Sequence, residues 1–299
     1  MTVVVVVLLL LMLPGASGAE ESAELTTGRA KIAVDFSEPL SPALREIALQ
    51  WINQSANAVT IYHGRFPVDR LRIRVRVRDG RGARKGTTYG WNGPLITISM
   101  GRESTAGDFA NDWLMTHEML HLGFPSVPEQ NHWIEEGIST YVEPIARCRA
   151  VLKSSESLWA ELVDGLPQGL PKPGDRGLDF TPTWGRTYWG GALFCLRADV
   201  EIRKRTGSRF GFEHALRAIV AAGGTIEKEW KIDRAIEAGD KATGVPVLRE
   251  LYDEMKDKPV AIDLDALWRE LGVIRQGDTV TFDDRAPLAT VRKAITTGR

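Results

Sequence analysis

Residues 117–121 read His-Glu-Met-Leu-His. On a helix, histidines at i and i+4 leave one face and can close on a single divalent ion, while Glu118 is displaced around the helix toward a water on that ion. Two imidazoles leave such an ion under-coordinated, and a catalytic zinc takes three protein donors and keeps a fourth position open. The candidate third donor is Glu136, within Trp133-Ile134-Glu135-Glu136-Gly137-Ile138-Ser139-Thr140-Tyr141-Val142-Glu143, a pattern that predicts a second helix packed on the first. The chemistry this set would do is metal-assisted hydrolysis with one Zn2+ ion as cofactor and Glu118 as general base. Glu135, Glu143 and Arg147 read as a solvated helix face, and His132 as a structural loop residue. His63 and His214 have no spaced partner and read as ordinary surface or core residues.

A helix must carry the motif. Asp108 can cap its start, residues 109–122 lack Gly and Pro, and Gly123 with Pro125 stops it. Upstream, Lys31 to Phe36 alternates as a short strand and Ser41 to Val59 has helical spacing behind a Ser-Pro start. Leu71, Ile73, Val75 and Val77 alternate with Arg72, Arg74, Arg76 and Arg78, which predicts a half-buried strand with a solvated arginine face. Residues 79–92 read as a long turn, and Pro94 to Met100 as a strand that could be the edge against which a peptide lies. From Asp108 the pattern is helical, apart from a Pro/Gly-rich polar stretch at residues 164–183 that could form a lid. Trp184 and Trp189 flank the end of that stretch as pocket or core residues. The expected fold is α+β: a small mixed-sheet lobe carrying the metal helix, and a mainly helical carboxyl-terminal lobe closing the cleft.

With 299 residues and a formal net charge of -1, the chain can bury a full core. Its balance does not suggest a nucleic-acid partner, which demands a basic surface. Val3 to Pro14 is an apolar run too short to cross a bilayer comfortably, followed by small residues through Ala19. That predicts a signal peptide at residues 1–19, an exported protein in the periplasm or secreted, and no stable membrane span after cleavage. The remainder divides into a 20–105 α/β portion and a 106–299 metal-binding and helical portion. Cys148 and Cys195 suit either a disulfide or two buried thiols.

Together the His117 motif and the Trp-x-x-Glu-Gly-x-x-x-Tyr-x-Glu segment resemble the gluzincin metallopeptidases, the clan of thermolysin and the aminopeptidase N relatives. The resemblance implies a gluzincin-like fold, a peptide or protein substrate, and a zinc set of His117, His121 and Glu136 rather than Glu135. Tyr188-Trp189-Gly190-Gly191-Ala192-Leu193 is similar to the Tyr-x-x-Gly-Ala helix of these enzymes, which implies that Tyr188 holds the oxyanion. Leu264 to Val273 and Arg285-Ala286-Pro287-Leu288 are similar to the end of the glycyl aminopeptidase catalytic domain, here without its PDZ domain. The segment these enzymes use to engage a substrate amino terminus has no counterpart before His117, and Thr140 stands where thermolysin places a histidine-orienting Asp. Endopeptidase and aminopeptidase both remain open. So does a peptide-binding or assembly protein that retains the fold with little turnover.

Overall fold

The computed structural model describes residues 21–298; the expected signal peptide lies outside the described residues. The chain opens with β1 (Glu21–Thr27), β2 (Ala30–Phe36), α1 (Pro42–His63), β3 (Arg70–Arg78), β4 (Ala83–Tyr89) and β5 (Leu95–Gly101). The strands form one mixed sheet in the order β1-β2-β3-β5-β4. β2, β3 and β5 run parallel, and β1 and β4 are antiparallel edges. Period-two alternation sends Leu71, Ile73, Val75 and Val77 into the core and their arginine neighbours outward. α1 crosses the inner face of the sheet. Its start is set by Pro42 and by Ser41, whose Oγ accepts from the Leu44 amide at 3.3 Å, and Gly64 (φ 75°) ends it in a left-handed cap.

The helical part follows: α2 (Ala106–Ala110), α3 (Leu114–His121), α4 (His132–Arg149), α5 (Ser155–Gly165), α6 (Gly191–Thr206), α7 (Phe212–Ala221), α8 (Ile232–Thr243), α9 (Val247–Met255) and α10 (Leu264–Leu271). A hairpin of β6 (Val273–Gln276) and β7 (Thr279–Phe282) precedes the final helix, α11 (Ala289–Thr297). The molecule is therefore α+β, a five-stranded mixed sheet with a helical remainder.

Four sequence expectations change. The motif helix is not continuous from residue 109: Asn111 and Asp112 break it, and Asp112 Oδ2 accepts the Met115 amide at 3.2 Å to start α3 afresh. Residues 79–92 are not all turn, because β4 lies inside them and is the sheet edge, leaving β5 interior. The stretch 164–183 is no lid: Leu166, Leu178 and Asp179 are buried, and Asp179 accepts from Trp133 Nε1 at 2.8 Å and from the Tyr252 hydroxyl at 2.9 Å. The β6–β7 hairpin was hidden in a segment read as helical and tail, although Gly277-Asp278 between alternating residues is a turn signal. Both cysteines are free thiols.

α4 is the central helix of this part. At Gly137 a Cβ would stand 2.3 Å from the Gly191 carbonyl carbon, so α4 and the start of α6 touch backbone to backbone. Behind that contact the Tyr141 hydroxyl donates to Asp199 Oδ2 at 2.9 Å, and Arg203 donates to Asp199 at 2.8 Å and to Glu213 at 2.8 Å. All four side chains are buried, tying α4, α6 and α7 into one body.

Candidate active site

A cleft of about 610 Å³ runs between the sheet edge and the helices, lined by residues of β4, α3 and α4 together with Tyr188 and Ile226. α3 presents His117 and His121 on one face, as their spacing dictates, with ring centroids 5.0 Å apart. α4 brings Glu136 against them: its Oε2 lies 3.1 Å from His117 Nε2 and 3.7 Å from His121 Nε2. The three donor atoms all fall within 4.8 Å of one another, and the three residues are buried.

This donor set fits zinc. Tetrahedral coordination with bonds of about 2.1 Å places neighbouring donors roughly 3.4 Å apart, and the observed separations bracket that edge. Two imidazoles and one carboxylate are also donor types that zinc takes. Burial holds the His121 imidazole down at about 4, so it is unprotonated and free to ligate. Burial alone would raise the Glu136 carboxyl, but its contacts with His117 and His132 outweigh this and hold it below the ordinary carboxylate range.

Glu118 is turned from this face toward β4. Its Oε2 accepts the Thr88 hydroxyl at 2.6 Å, and the same hydroxyl reaches the Glu118 backbone carbonyl at 2.8 Å. Burial raises the Glu118 pKa, with Thr88 working against the rise. The neighbouring Gly86 leaves room for this side chain: a Cβ there would stand 2.5 Å from Glu118 Oε1 and push the carboxylate aside. Tyr188 sits on a π-helical turn, Gly185–Gly190, that runs directly into α6. Such turns re-aim a side chain out of the regular ladder. The Tyr188 ring stacks on His117 with centroids 6.3 Å apart. Burial, then the Glu136 and Glu118 charges, push its phenol up to about 12.

All five residues expected from the sequence thus meet in one cleft. Sequence reasoning missed their supports. Thr88 and Gly86 belong to β4, hidden by a Gly/Arg-rich surround, although the run Thr87-Thr88-Tyr89 carried a strand signal. His132, read as structural, has Nε2 3.3 Å from Glu136 Oε1 and lies beside Glu135, and these two carboxylates raise it to about 10. Glu143 and Arg147 are not a solvated face: they form a buried pair at 3.0 Å. Trp184 is exposed and stacks on Tyr188, whereas Trp189 is half-buried against Gly165 and Gly169.

No family model and no curated protein sequence matches the chain. Solved structures do. A variant of a two-domain M1 zinc metallopeptidase bound to L-arginine superposes with a TM-score of 0.54 at 14% identity, over 82% of this chain and 53% of that one. An aminopeptidase N family protein from Idiomarina loihiensis gives 0.54 at 14% identity, over 85% and 49%. A variant of the M1 zinc metallopeptidase of Deinococcus radiodurans bound to the substrate Tyr-Ser-Ala gives 0.51 at 13% identity, over 82% and 53%. The chain has the fold of this part of the M1 zinc metallopeptidases, the gluzincin fold, and spans about half the length of the structures it matches.

Proposed function

We propose that the chain is a zinc-dependent metallopeptidase that hydrolyses peptide bonds, with His117, His121 and Glu136 as ligands, Glu118 as general base and Tyr188 as oxyanion donor. The convergence of the three donor atoms within 4.8 Å, beside a buried Glu118 in an open cleft, carries this reading. The fold it shares with M1 zinc metallopeptidases, two of them holding an amino acid or a tripeptide, supports zinc as the ion and a peptide as the substrate. Zinc on these donors supplies Lewis acidity, lowering the pKa of a water toward about 7 and polarising the scissile carbonyl.

The chain's own residues do the rest. Glu118, held by Thr88 and made more basic by burial, takes a proton from the attacking water and delivers it to the leaving nitrogen. The water's oxygen joins the carbonyl carbon, the C–N bond breaks, and the products are a carboxylate and an amine. Tyr188, kept protonated by its surroundings, donates to the oxygen on which charge develops, a contribution of about 3 kcal/mol for donors of this kind. The resemblance of Leu264 to Val273 and Arg285-Ala286-Pro287-Leu288 to the end of the glycyl aminopeptidase catalytic domain supports a catalytic domain like that group's. The apolar run and small residues of 1–19 support export to the periplasm or medium.

Glu118→Gln is the deciding variant. It is expected to bind zinc fully and to lose peptide cleavage; unchanged cleavage would refute the mechanism. His121→Ala and Glu136→Ala should each lose zinc, read by metal analysis after dialysis. Full occupancy in either removes that residue from the site.

A further inference from the structure

β3 is the middle strand of the sheet, and Arg70, Arg72, Arg74 and Arg76 all stand exposed on its outer side. Residues two apart on a strand lie roughly 6.6 Å apart, so these guanidiniums form a single file of like charge. None of the four makes an ion pair or a side-chain hydrogen bond among the described residues. Acids close by are taken: Asp69 pairs with Arg29 at 3.0 Å and Glu24 with Lys31 at 3.4 Å. Asp35 is in register with Arg74 and makes no ion pair with it. Arginines elsewhere on the surface do find partners, Arg45 in Glu21, Arg197 in Glu254, Arg205 in Glu250. A chain whose net charge is only -1 thus leaves a run of positive charge uncompensated down the middle of one face.

The surroundings of the file narrow what fits it. Residues paired across a sheet share a face, so β5 flanks the file with Leu95, Thr97 and Ser99, and β2 flanks it with Ala33 and Asp35. Both flanks are neutral or acidic, and the positive strip is one side chain wide. Single-stranded nucleic acid is held by a basic groove set with aromatic stacking platforms, and an anionic membrane by cations spread over a surface. An extended acidic polypeptide matches a file instead, because acids at alternate positions present carboxylates along one side at the same spacing of roughly 6.6–6.8 Å. Guanidinium takes a carboxylate through two parallel hydrogen bonds, which suits arginine rather than lysine at all four positions. The strip also reaches the cleft: Arg76 is in register with Ser99, and Ser99 with Arg84, an exposed residue of β4 on the cleft lining.

We propose that the outer face of the sheet binds an extended acidic segment of a partner polypeptide, its alternate carboxylates paired with Arg70, Arg72, Arg74 and Arg76, and that Arg84 joins this strip to the cleft rim. The proposal goes beyond the peptidase reading and stands without it, because binding is measured in the absence of turnover. The zinc-supplemented full chain carrying Glu118→Gln is titrated into a labelled, alternating Glu-Thr peptide of about twelve residues at low salt, and binding is read by fluorescence anisotropy. A peptide of the same composition with its glutamates in one block turns only every second one toward the file and should bind about fivefold more weakly. Adding R72T, R74T and R76T together should weaken binding of the alternating peptide about tenfold or more with zinc content unchanged. Adding R72E, R74E and R76E instead should transfer binding to an alternating Lys-Thr peptide, a gain that a folding defect cannot produce. Equal affinity for the alternating and block peptides, or binding unchanged by the three Thr substitutions, overturns the proposal. So does tighter binding, at matched charge, of single-stranded DNA, a sulfated glycan or vesicles of anionic phospholipid. Absence of peptide binding overturns it as well and leaves a solvated face.

Discussion

Thr88 and His132 each hold one carboxylate of the candidate centre from outside the ligand set. Thr88→Val keeps the shape of the side chain and removes the hydroxyl that accompanies both Glu118 oxygens in the backbone and side chain. A hydrogen bond to a charged group contributes about 1.5–3 kcal/mol, so kcat should fall roughly ten- to a hundredfold while zinc content stays whole. His132 acts on Glu136: with Oε2 turned to His117 and His121, Oε1 lies 3.3 Å from the His132 ring. His132→Ala should weaken zinc affinity about 10–100-fold, measured by competition with a chelator, which is the usual effect of losing a partner of a ligand. Affinity equal to wild type would show that Glu136 is oriented by its helix alone.

At the scale of elements, the decisive contact is between α4 and the turn leading into α6. Glu136 and Tyr188 come from different segments, and their separation is fixed because Gly137 and Gly191 leave no room for a Cβ between them. Gly137→Ala would drive a methyl into backbone, which cannot yield as a side-chain tip could. A loss of about 1–3 kcal/mol of stability is expected by denaturant unfolding, together with lower turnover as Tyr188 moves off Glu136. The buried set behind this contact is a second clamp. Asp199→Ala leaves the Tyr141 hydroxyl without its acceptor and Arg203 with Glu213 alone, and should cost about 1–3 kcal/mol. An Asp199→Ala protein with wild-type unfolding would mean that water replaces the carboxylate.

Across the whole molecule, acid sensitivity has a source outside the candidate ligand set. His63 ends α1 fully buried, with neither ring nitrogen hydrogen-bonded among the described residues and its Cε1 2.6 Å from where a Gly123 Cβ would stand. Burial, reinforced by Arg217 and Arg65, lowers its pKa to about 3. Below about pH 6.5 the unfolded chain binds a proton that the folded chain refuses, so His63 removes about 1.4 kcal/mol of stability per pH unit as pH falls from there toward 3. Above pH 6.5 it has no effect. His63→Leu should flatten the stability profile between pH 6.5 and 5 by about that slope; identical slopes in variant and wild type would refute the assignment.

The amino-acid sequence by itself determined which residues make up the candidate site. Helical periodicity is local, so the spacing of His117 and His121 was enough to put both on one face, and Trp133 to Glu143 had to offer Glu136 once it was helical. Strict alternation likewise determined β3 and its buried side. The tertiary structure alone decided which strand lies beside the motif, because β4 has weak local signals and owes its place to pairing with β5 and packing against α3. It also decided that Glu143 and Arg147 are buried, since two faces of α4 are covered by other helices and periodicity does not reveal a second covered face. Which donors hold the carboxylates of the cleft depends on partners such as Val127, Trp51 and Thr88 that lie far off in the chain or on another element. Spacing fixes what one helix presents, and only packing brings the partners that give those groups their charge, direction and neighbours.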